Sequence, residues 1–227
     1  ENGSVLLKHL RSTAASAVMG FAIGAVAAIV SSLVATTFVF SRRSFTLLSM
    51  ALYSVPLIAA APLAALIFGT SNSGTVLGCI GSFFPIFLAG LRAGDRASAA
   101  YGDLVRAHGA TAWGEIRCVR LPLTARGWLI GAQSGWVWAV LGALLGDFTG
   151  GHWGLGTFLI GSLSRGDPNR VWAIVSLCLA LSSAGLLTMS GLVKRLDIHG
   201  AFDPIETSLN RPPNRAGSGH NGNLLNL

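Results

Sequence analysis

The stretch AHGATAWGEIRCVRLP, residues 107–122, decides the fold because it interrupts an otherwise apolar chain. It lies within a longer segment, 92–125, whose basic and acidic side chains make it too polar to cross a bilayer. Gly109 permits a sharp change of backbone direction, since glycine adopts angles that other residues avoid. Pro122 cannot continue a helix and fixes the approach to the next apolar run. The segment therefore predicts a connection with a built-in bend.

We expect this connection to be a helix–turn–helix elbow on a membrane surface. One helix is predicted near 97–108 and a second near 110–117, with Trp113 and Ile116 available to anchor a partner protein. A solvated loop is the alternative interpretation of the same residues.

The sequence on both sides of the elbow is typical of a polytopic α-helical membrane protein. Of the 227 residues, 52% are apolar and 11% are charged, whereas soluble domains carry about 25% charged residues. Even the shortest apolar run covers roughly 27 Å as a helix, close to the hydrocarbon thickness of a bilayer. Five such runs could not all lie inside one small soluble domain. The predicted spans are 14–40, 45–69, 75–92, 127–148 and 171–193.

The distribution of basic residues predicts how the chain is oriented. Twelve Lys and Arg residues fall in the segments assigned to one side of the membrane and four in those assigned to the other. The richer side is predicted to be cytoplasmic. Residues 1–13 are then an external segment, and 197–227 form a disordered cytoplasmic tail. Because the basic residues separate apolar runs and form no aromatic-interleaved patch, they do not indicate nucleic-acid binding.

Glycine and proline in the spans indicate close packing and irregular helices. Gly127, Gly131 and Gly135 recur every four residues on one helix face, which favours either packing within the bundle or a dimer seam. Pro56 and Pro62 lie inside the second predicted span, and Pro85 lies in the third, where kinks or breaks are expected. Such breaks either line a transport pathway or simply bend a helix.

Chemistry-bearing residues are scarce inside the predicted spans. Asp147 is the one acid near the bilayer, and we expect it to cap or pair near the surface more than to meet a substrate. No histidine falls within a predicted span, so a serine nucleophile would lack a base. The cysteines have no metal-type spacing, and the chain has no GxxxxGK[ST] motif. These absences argue against a hydrolase, an ion-coupled carrier and a resident metal or cofactor.

The bent segment resembles the EAA motif of ABC importer permeases. Gly109 is followed at the motif's spacing by Val119, Leu121 and Pro122, and Asp103 retains the acidic position of the EAA triplet. Three further stretches are similar to permeases of the nitrate/sulfonate/taurine type, and together the resemblance covers roughly residues 10–196. These stretches are VPLIAAAPLAALIFGT at 55–70, FFPIFLAGLRAGD at 83–95 and GDFTGGHWGLGTFL at 146–159.

The resemblance implies an all-α, type I importer permease fold. It implies a transmembrane domain, 14–196, with a cytoplasmic coupling loop, 92–126, and five spans where such permeases have six, the first being absent. Independently of the resemblance, the apolar piece before the last span, LGTFLIGSL at 155–163, is too short to span, so we expect it to lie at the interface or dip into the membrane.

The resemblance also implies a function in transport rather than catalysis. The chain would lie in the cytoplasmic (inner) membrane and carry a small solute, a nitrate-, sulfonate- or taurine-like anion or a related organic compound. An external binding protein would deliver the solute, and a cytoplasmic ATPase dimer would drive a pair of permeases, expected to be a homodimer. An ion-coupled carrier and an intramembrane hydrolase are the alternatives, and neither would co-purify with an ATPase.

Two groups of site residues follow from the resemblance and the breaks. The residues expected to couple to the ATPase are Asp103, Gly109, Ala110, Trp113, Glu115, Ile116, Val119, Leu121 and Pro122. The residues expected to line or gate the pathway are Pro56, Pro62, Gly131, Gly135 and Asp147.

Overall fold

The computed structural model describes residues 2–107, 111, 114, 116, 121–149 and 153–197. Within these ranges the regular secondary structure is helical, in agreement with the predicted all-α class. The helices are α1 (Asn2–Thr37), α2 (Val39–Ser54), α3 (Leu57–Phe68), α4 (Ser73–Ala107), α5 (Leu121–Asp147), α6 (Leu155–Ser164) and α7 (Pro168–Asp197).

Four of these helices, α1, α4, α5 and α7, are long and apolar enough to cross a membrane singly. Helices α2 and α3 meet the same criterion only together, and they are bent by 98° where they join. The described part of the chain therefore has four spans, or five if the bent pair counts as one. This confirms a polytopic helical membrane protein. It also shows that the second predicted span, 45–69, is not one straight helix.

Helix α4 is the centre of the fold, because α1 and α5 both pack against it and also against each other. Ile86 and Phe87 of α4 are almost completely buried and form a core cluster with Ala28 and Ala35 of α1. Trp128 of α5 packs against the same cluster. This packing holds α4 as one helix from residue 73 to residue 107.

The predicted breaks at the prolines are only partly found. Pro85 lies inside α4 and Pro62 inside α3, so neither proline ends its helix. For Pro85 the reason is the burial of the two residues that follow it, which fixes the helix on both sides of the ring. Helix α4 also continues to residue 107, so the first predicted elbow helix is an extension of the span and not a separate element.

The ends of α1 differ from the predicted first span. The helix begins at Asn2, well before residue 14, and ends at Thr37, where Phe38 adopts an extended conformation. Arg42 was expected in a connection but lies in the first turns of α2, where it forms a 2.6 Å ion pair with Asp95 of α4.

The glycine stripe of α5 is a contact within this chain. A Cβ at Gly142 would lie 2.5 Å from the carbonyl carbon of Leu77 and 2.6 Å from the nitrogen of Gly78, both on α4. A Cβ at Gly131 would lie 2.8 Å from the Cα of Ile86. Glycine is needed here because only a residue without a side chain lets the two backbones come so close. The first of the two interpretations, packing within the bundle, accounts for the stripe.

Candidate functional site

The break between α2 and α3 is the most irregular part of the described spans. Helix α2 ends at Ser54, and both Val55 (φ −70°, ψ 123°) and Pro56 (φ −62°, ψ 109°) are extended. Proline has no N–H and disfavours a helical conformation at the residue before it, which explains two extended residues in succession. The Pro56 carbonyl then accepts hydrogen bonds from the N–H groups of Ala59 (2.9 Å) and Ala60 (3.0 Å) and starts α3 in its new direction.

Two cavities lie beside this break. One, which we name the break cavity, has a volume of about 410 Å³, and the other, which we name the end cavity, has a volume of about 500 Å³. Ile58 and Leu145 line both. The break cavity is lined by 52–58 from the break, by Ile80 and Gly81 of α4 and by Trp138 and Leu141 of α5. The end cavity extends past Pro62 and Leu66 to Thr70, Phe148 and Thr149.

The position of these cavities agrees with a physical requirement of membrane proteins. In hydrocarbon, non-helical backbone is tolerated only where it is buried in protein or lines a cavity. The extended residues Val55 and Pro56 both line the break cavity. The break is therefore a candidate for a solute pathway.

Aromatic rings from three helices meet at the break cavity. Tyr53 of α2 stacks on Phe84 of α4, with centroids 4.3 Å apart and an interplanar angle of 22°. It also makes a T-shaped contact with Trp138 of α5, with centroids 5.8 Å apart and an interplanar angle of 74°. Of the three, Tyr53 and Trp138 line the cavity itself. Gly81 makes this approach possible, because a Cβ there would lie 2.9 Å from the Trp138 carbonyl oxygen.

The described lining of both cavities carries no Asp, Glu, Lys, Arg or His. Its polar side-chain groups are the hydroxyls of Tyr53, Ser54, Thr70 and Thr149 and the indole N–H of Trp138. An apolar wall with a few hydroxyls suits an uncharged molecule, whereas an anion would need a cation or a cluster of N–H donors.

Asp147 takes part in a polar contact with the N-terminal part of α1. The Thr13 hydroxyl donates to Oδ2 of Asp147 at 2.6 Å and accepts the N–H of Leu155 at 2.8 Å. The Thr157 hydroxyl donates to the Asp147 carbonyl oxygen at 2.6 Å. We call this group, together with His9 and Gly154, the clasp, because it ties the ends of α1, α5 and α6 together. Asp147 lines neither cavity.

His9 corrects one prediction, because it was placed outside the spans and lies on α1, where it is 7% exposed. Its Nδ1 is 2.8 Å from the carbonyl oxygen and 2.9 Å from the nitrogen of Gly154, so the tautomer decides which bond forms. The ring lies between Trp153 (5.2 Å) and Phe158 (4.8 Å). The missed signal was local: His9 and Thr13 are four residues apart and share a helix face.

The other predicted site residues are placed as follows. Pro56 lines the break cavity and Pro62 the end cavity. Gly131 and Gly135 instead face α4, in the close backbone contact between α4 and the α5 glycines, which we call the seam. Neither glycine lines a cavity, so a gating role for them would have to act by changing the packing of α5 against α4.

Of the predicted coupling residues, Leu121 and Pro122 are exposed in the first turn of α5. Proline is well tolerated there, because the first N–H groups of a helix have no partner in it. Ile116 is half-buried, and Asp103 lies on the extension of α4. Gly109, Ala110, Trp113, Glu115 and Val119 lie outside the described residues. The Gly114 N–H donates to the Thr111 hydroxyl at 3.3 Å, which is typical of a helix start.

Residues 20–198 match the family of binding-protein-dependent transport system inner membrane components, and the chain belongs to that family. The match runs from α1 to the end of α7 and includes the break, the α4–α5 contact and the segment predicted to form the elbow. The family consists of multi-pass membrane components of transporters and not of enzymes, so neither the hydrolase nor the ion-coupled carrier is supported.

Two transport permease proteins are similar to this chain in sequence. The riboflavin transport system permease protein RibX of Chloroflexus aurantiacus is 30% identical over 145 residues, which are 63% of this chain and 53% of the relative. The formylaminopyrimidine transport permease protein ThiX of Halalkalibacterium halodurans is 30% identical over 195 residues, 84% of this chain and 76% of the relative. The chain thus spans about half the length of the first and three quarters of the second. The expected nitrate/sulfonate/taurine subtype is not confirmed by either.

Proposed function

We propose that this chain is the membrane-spanning subunit of an ABC importer and forms the pathway for an uncharged, planar heterocyclic nutrient. The observation that carries the proposal is the family match over residues 20–198, which contains both the broken span and the elbow. A binding protein would deliver the solute, and a partner ATPase would supply the energy.

The class of solute rests on two independent arguments. The named solutes of the two relatives, riboflavin and a formylaminopyrimidine, are both flat nitrogen heterocycles. The cavities beside the break carry no basic side chain in their described lining, so they offer nothing to neutralise nitrate, a sulfonate or taurine. A heterocycle therefore fits better than the anion expected from the sequence.

The seam suggests how the partner ATPase would act on the pathway. Helix α4 runs unbroken to residue 107, and α5 begins at Leu121, so both helices of the seam flank the elbow. A force applied to the elbow would move α4 and α5 as one body, because their backbones are in contact. Trp113 and Ile116 are the proposed anchors in the ATPase groove.

The proposed sidedness follows from the basic residues. The elbow and the C-terminus would face the cytoplasm, and α6 with the clasp would face the exterior. Tyr53 is 48% exposed, so this chain alone leaves the break cavity open. A second copy of the permease would close it, and we propose a homodimer.

Purification in mild detergent and uptake in proteoliposomes test this function. The native complex should contain an ATPase, and Trp113→Ala should lower solute-stimulated ATPase activity and uptake by about tenfold, as expected for loss of an interface anchor. Trp172→Ala is the matched control, because Trp172 is 71% exposed at the start of α7 and far along the chain from the elbow. Absence of an ATPase from the complex, or equal activity of the two variants, contradicts the proposal.

A further inference from the structure

Tyr53 has a ring that is held on one side and open on another. Phe84 stacks on it at 4.3 Å and fixes its plane, and the Trp138 ring stands nearly perpendicular to it at 5.8 Å. About half of Tyr53 remains exposed. Two aromatic surfaces at a large angle, one of them supported from behind, form a corner into which a flat ring fits.

The corner opens into a space of suitable size and polarity. The break cavity has a volume of about 410 Å³, which lies within the range of about 300–1,000 Å³ for small-molecule sites. Its walls are apolar, and the Tyr53 and Ser54 hydroxyls and the extended backbone of Val55 and Pro56 add polar groups at one edge. Ring edges with nitrogen and oxygen atoms could bond there while the ring faces stack.

We propose that Tyr53 and Trp138 form a stacking site for a planar heteroaromatic molecule at the break between α2 and α3. This inference rests on the proposed function and deepens it, because it names the side chains that recognise the solute. Phe84 is a positioning residue, since it contacts Tyr53 and does not line the cavity.

Stacking energy favours recognition of the solute through the faces of its ring in the break cavity. Stacking of a heterocycle on an aromatic side chain is tolerant of the exact substituents, and loss of one such ring weakens binding by about tenfold. A site of this kind accepts flavins and pyrimidines alike. It leaves the choice between them to the binding protein.

Uptake kinetics in proteoliposomes that contain the full complex test the site, with riboflavin and formylaminopyrimidine as probes and taurine as the anionic comparison. Tyr53→Leu and Trp138→Leu remove one ring each but retain apolar volume, and Tyr53→Phe restores the ring. Trp172→Leu is the matched control outside the cavity. We expect KM for the transported heterocycle to rise about tenfold in the two Leu variants and to stay within about twofold of the unmodified complex in Trp172→Leu. Tyr53→Phe should raise KM less than Tyr53→Leu, because it keeps the ring and loses only the hydroxyl.

A direct binding measurement covers the case in which a Leu variant fails to assemble. Flavin fluorescence is quenched by stacking on Tyr or Trp, so riboflavin should lose fluorescence on binding to the unmodified complex and recover it on displacement by formylaminopyrimidine.

Three results would overturn the site. Heterocycle uptake with unchanged KM in both Leu variants overturns the site alone and leaves the proposed function intact. Binding of riboflavin without a loss of its fluorescence also overturns the site and leaves the proposed function intact. Uptake of taurine without uptake of either heterocycle overturns both the site and the proposed class of solute.

Discussion

The seam between α4 and α5 and the break between α2 and α3 are opposite solutions to the same problem of placing backbone inside a bilayer. In the seam, glycines bring two regular helices into backbone contact and leave no room for a side chain. At the break, a proline interrupts the helix, and the freed backbone lines a cavity. The difference indicates that the chain combines a close-packed pair of helices with an irregular arm, α2 and α3, which we propose as the part that meets the solute.

The largest effect is expected in the seam, from Gly142→Ala. Its Cβ would lie 2.5 Å from the Leu77 carbonyl carbon, so the helices must separate, at a cost of about 3 kcal/mol. Thermal unfolding followed by size-exclusion chromatography in detergent should show a lower Tm and less folded protein.

Gly191→Ala is the matched control for the seam. No atom lies within 4 Å of a Cβ at Gly191, and alanine favours the helix by about 1 kcal/mol over glycine. This variant should be as stable as the unmodified chain or slightly more so. Equal losses of stability in the two variants would mean that the seam is not as tight as described.

The next effect is expected at the break, from Pro56→Ala. Alanine allows α2 to continue, because a helix-interior proline costs about 3 kcal/mol that alanine does not. Straightening would close the break cavity, so solute uptake should fall by about tenfold while the protein still folds.

Pro85→Ala is the comparison for this variant, since Pro85 lies inside α4 without breaking it. Uptake by Pro85→Ala should remain within about twofold of the unmodified complex. If both proline variants transport normally, the break is only a bend in a helix and not a pathway.

A smaller effect is expected at the clasp, from Thr13→Val. The change removes the hydroxyl that donates to Asp147 and accepts from Leu155, which should lower the free energy of unfolding by about 1 kcal/mol. Thr188→Val is the matched control, because the exposed Thr188 hydroxyl donates to the Gly185 carbonyl oxygen of its own helix and ties no second helix among those described. The clasp is of no energetic consequence if chemical denaturation gives the two variants the same stability.

The smallest effect is expected from Asp95→Asn, which breaks the ion pair to Arg42 between α4 and α2. Both side chains are partly exposed, at 35% and 48%, and such pairs contribute less than about 1 kcal/mol. A change in Tm of more than a few degrees would contradict this estimate. It would show that the ion pair between α2 and α4 contributes more stability than is expected for a pair screened by solvent.

The sequence predicted those features that depend on local pattern. Run length and apolarity identified the spans, and four-residue glycine spacing identified a close helix contact. Spacing alone left open which helix the α5 glycines contact, because that depends on how all the helices pack together. The match over residues 20–198 confirmed the family that the G-x9-V-x-LP spacing had indicated.

Features that depend on tertiary packing could not be predicted. Pro56 and Pro85 look equivalent in the sequence, yet only Pro56 marks a break, because Pro85 precedes two buried residues that hold its helix. Likewise, His9 and Asp147 are far apart in the chain. Their common position at the clasp follows only from the way α1 packs beside α5 and α6.

Thiol labelling of the assembled transporter tests the central claim most directly, after replacement of Cys79, Cys118 and Cys178 by serine or alanine. Single cysteines at Val55 in the break cavity, at Ala139 in the seam and at Leu187 on the exposed face of α7 are exposed to a charged, water-soluble thiol reagent with and without ATP. We expect the Val55 cysteine to react and to be protected by the transported heterocycle. The Ala139 cysteine should stay unreactive because it is buried, and the Leu187 cysteine because its exposed face is expected to meet lipid, which a charged reagent does not enter. An unreactive Val55 cysteine in every nucleotide state, or equal reaction at all three positions, would contradict a water-accessible pathway at the broken span.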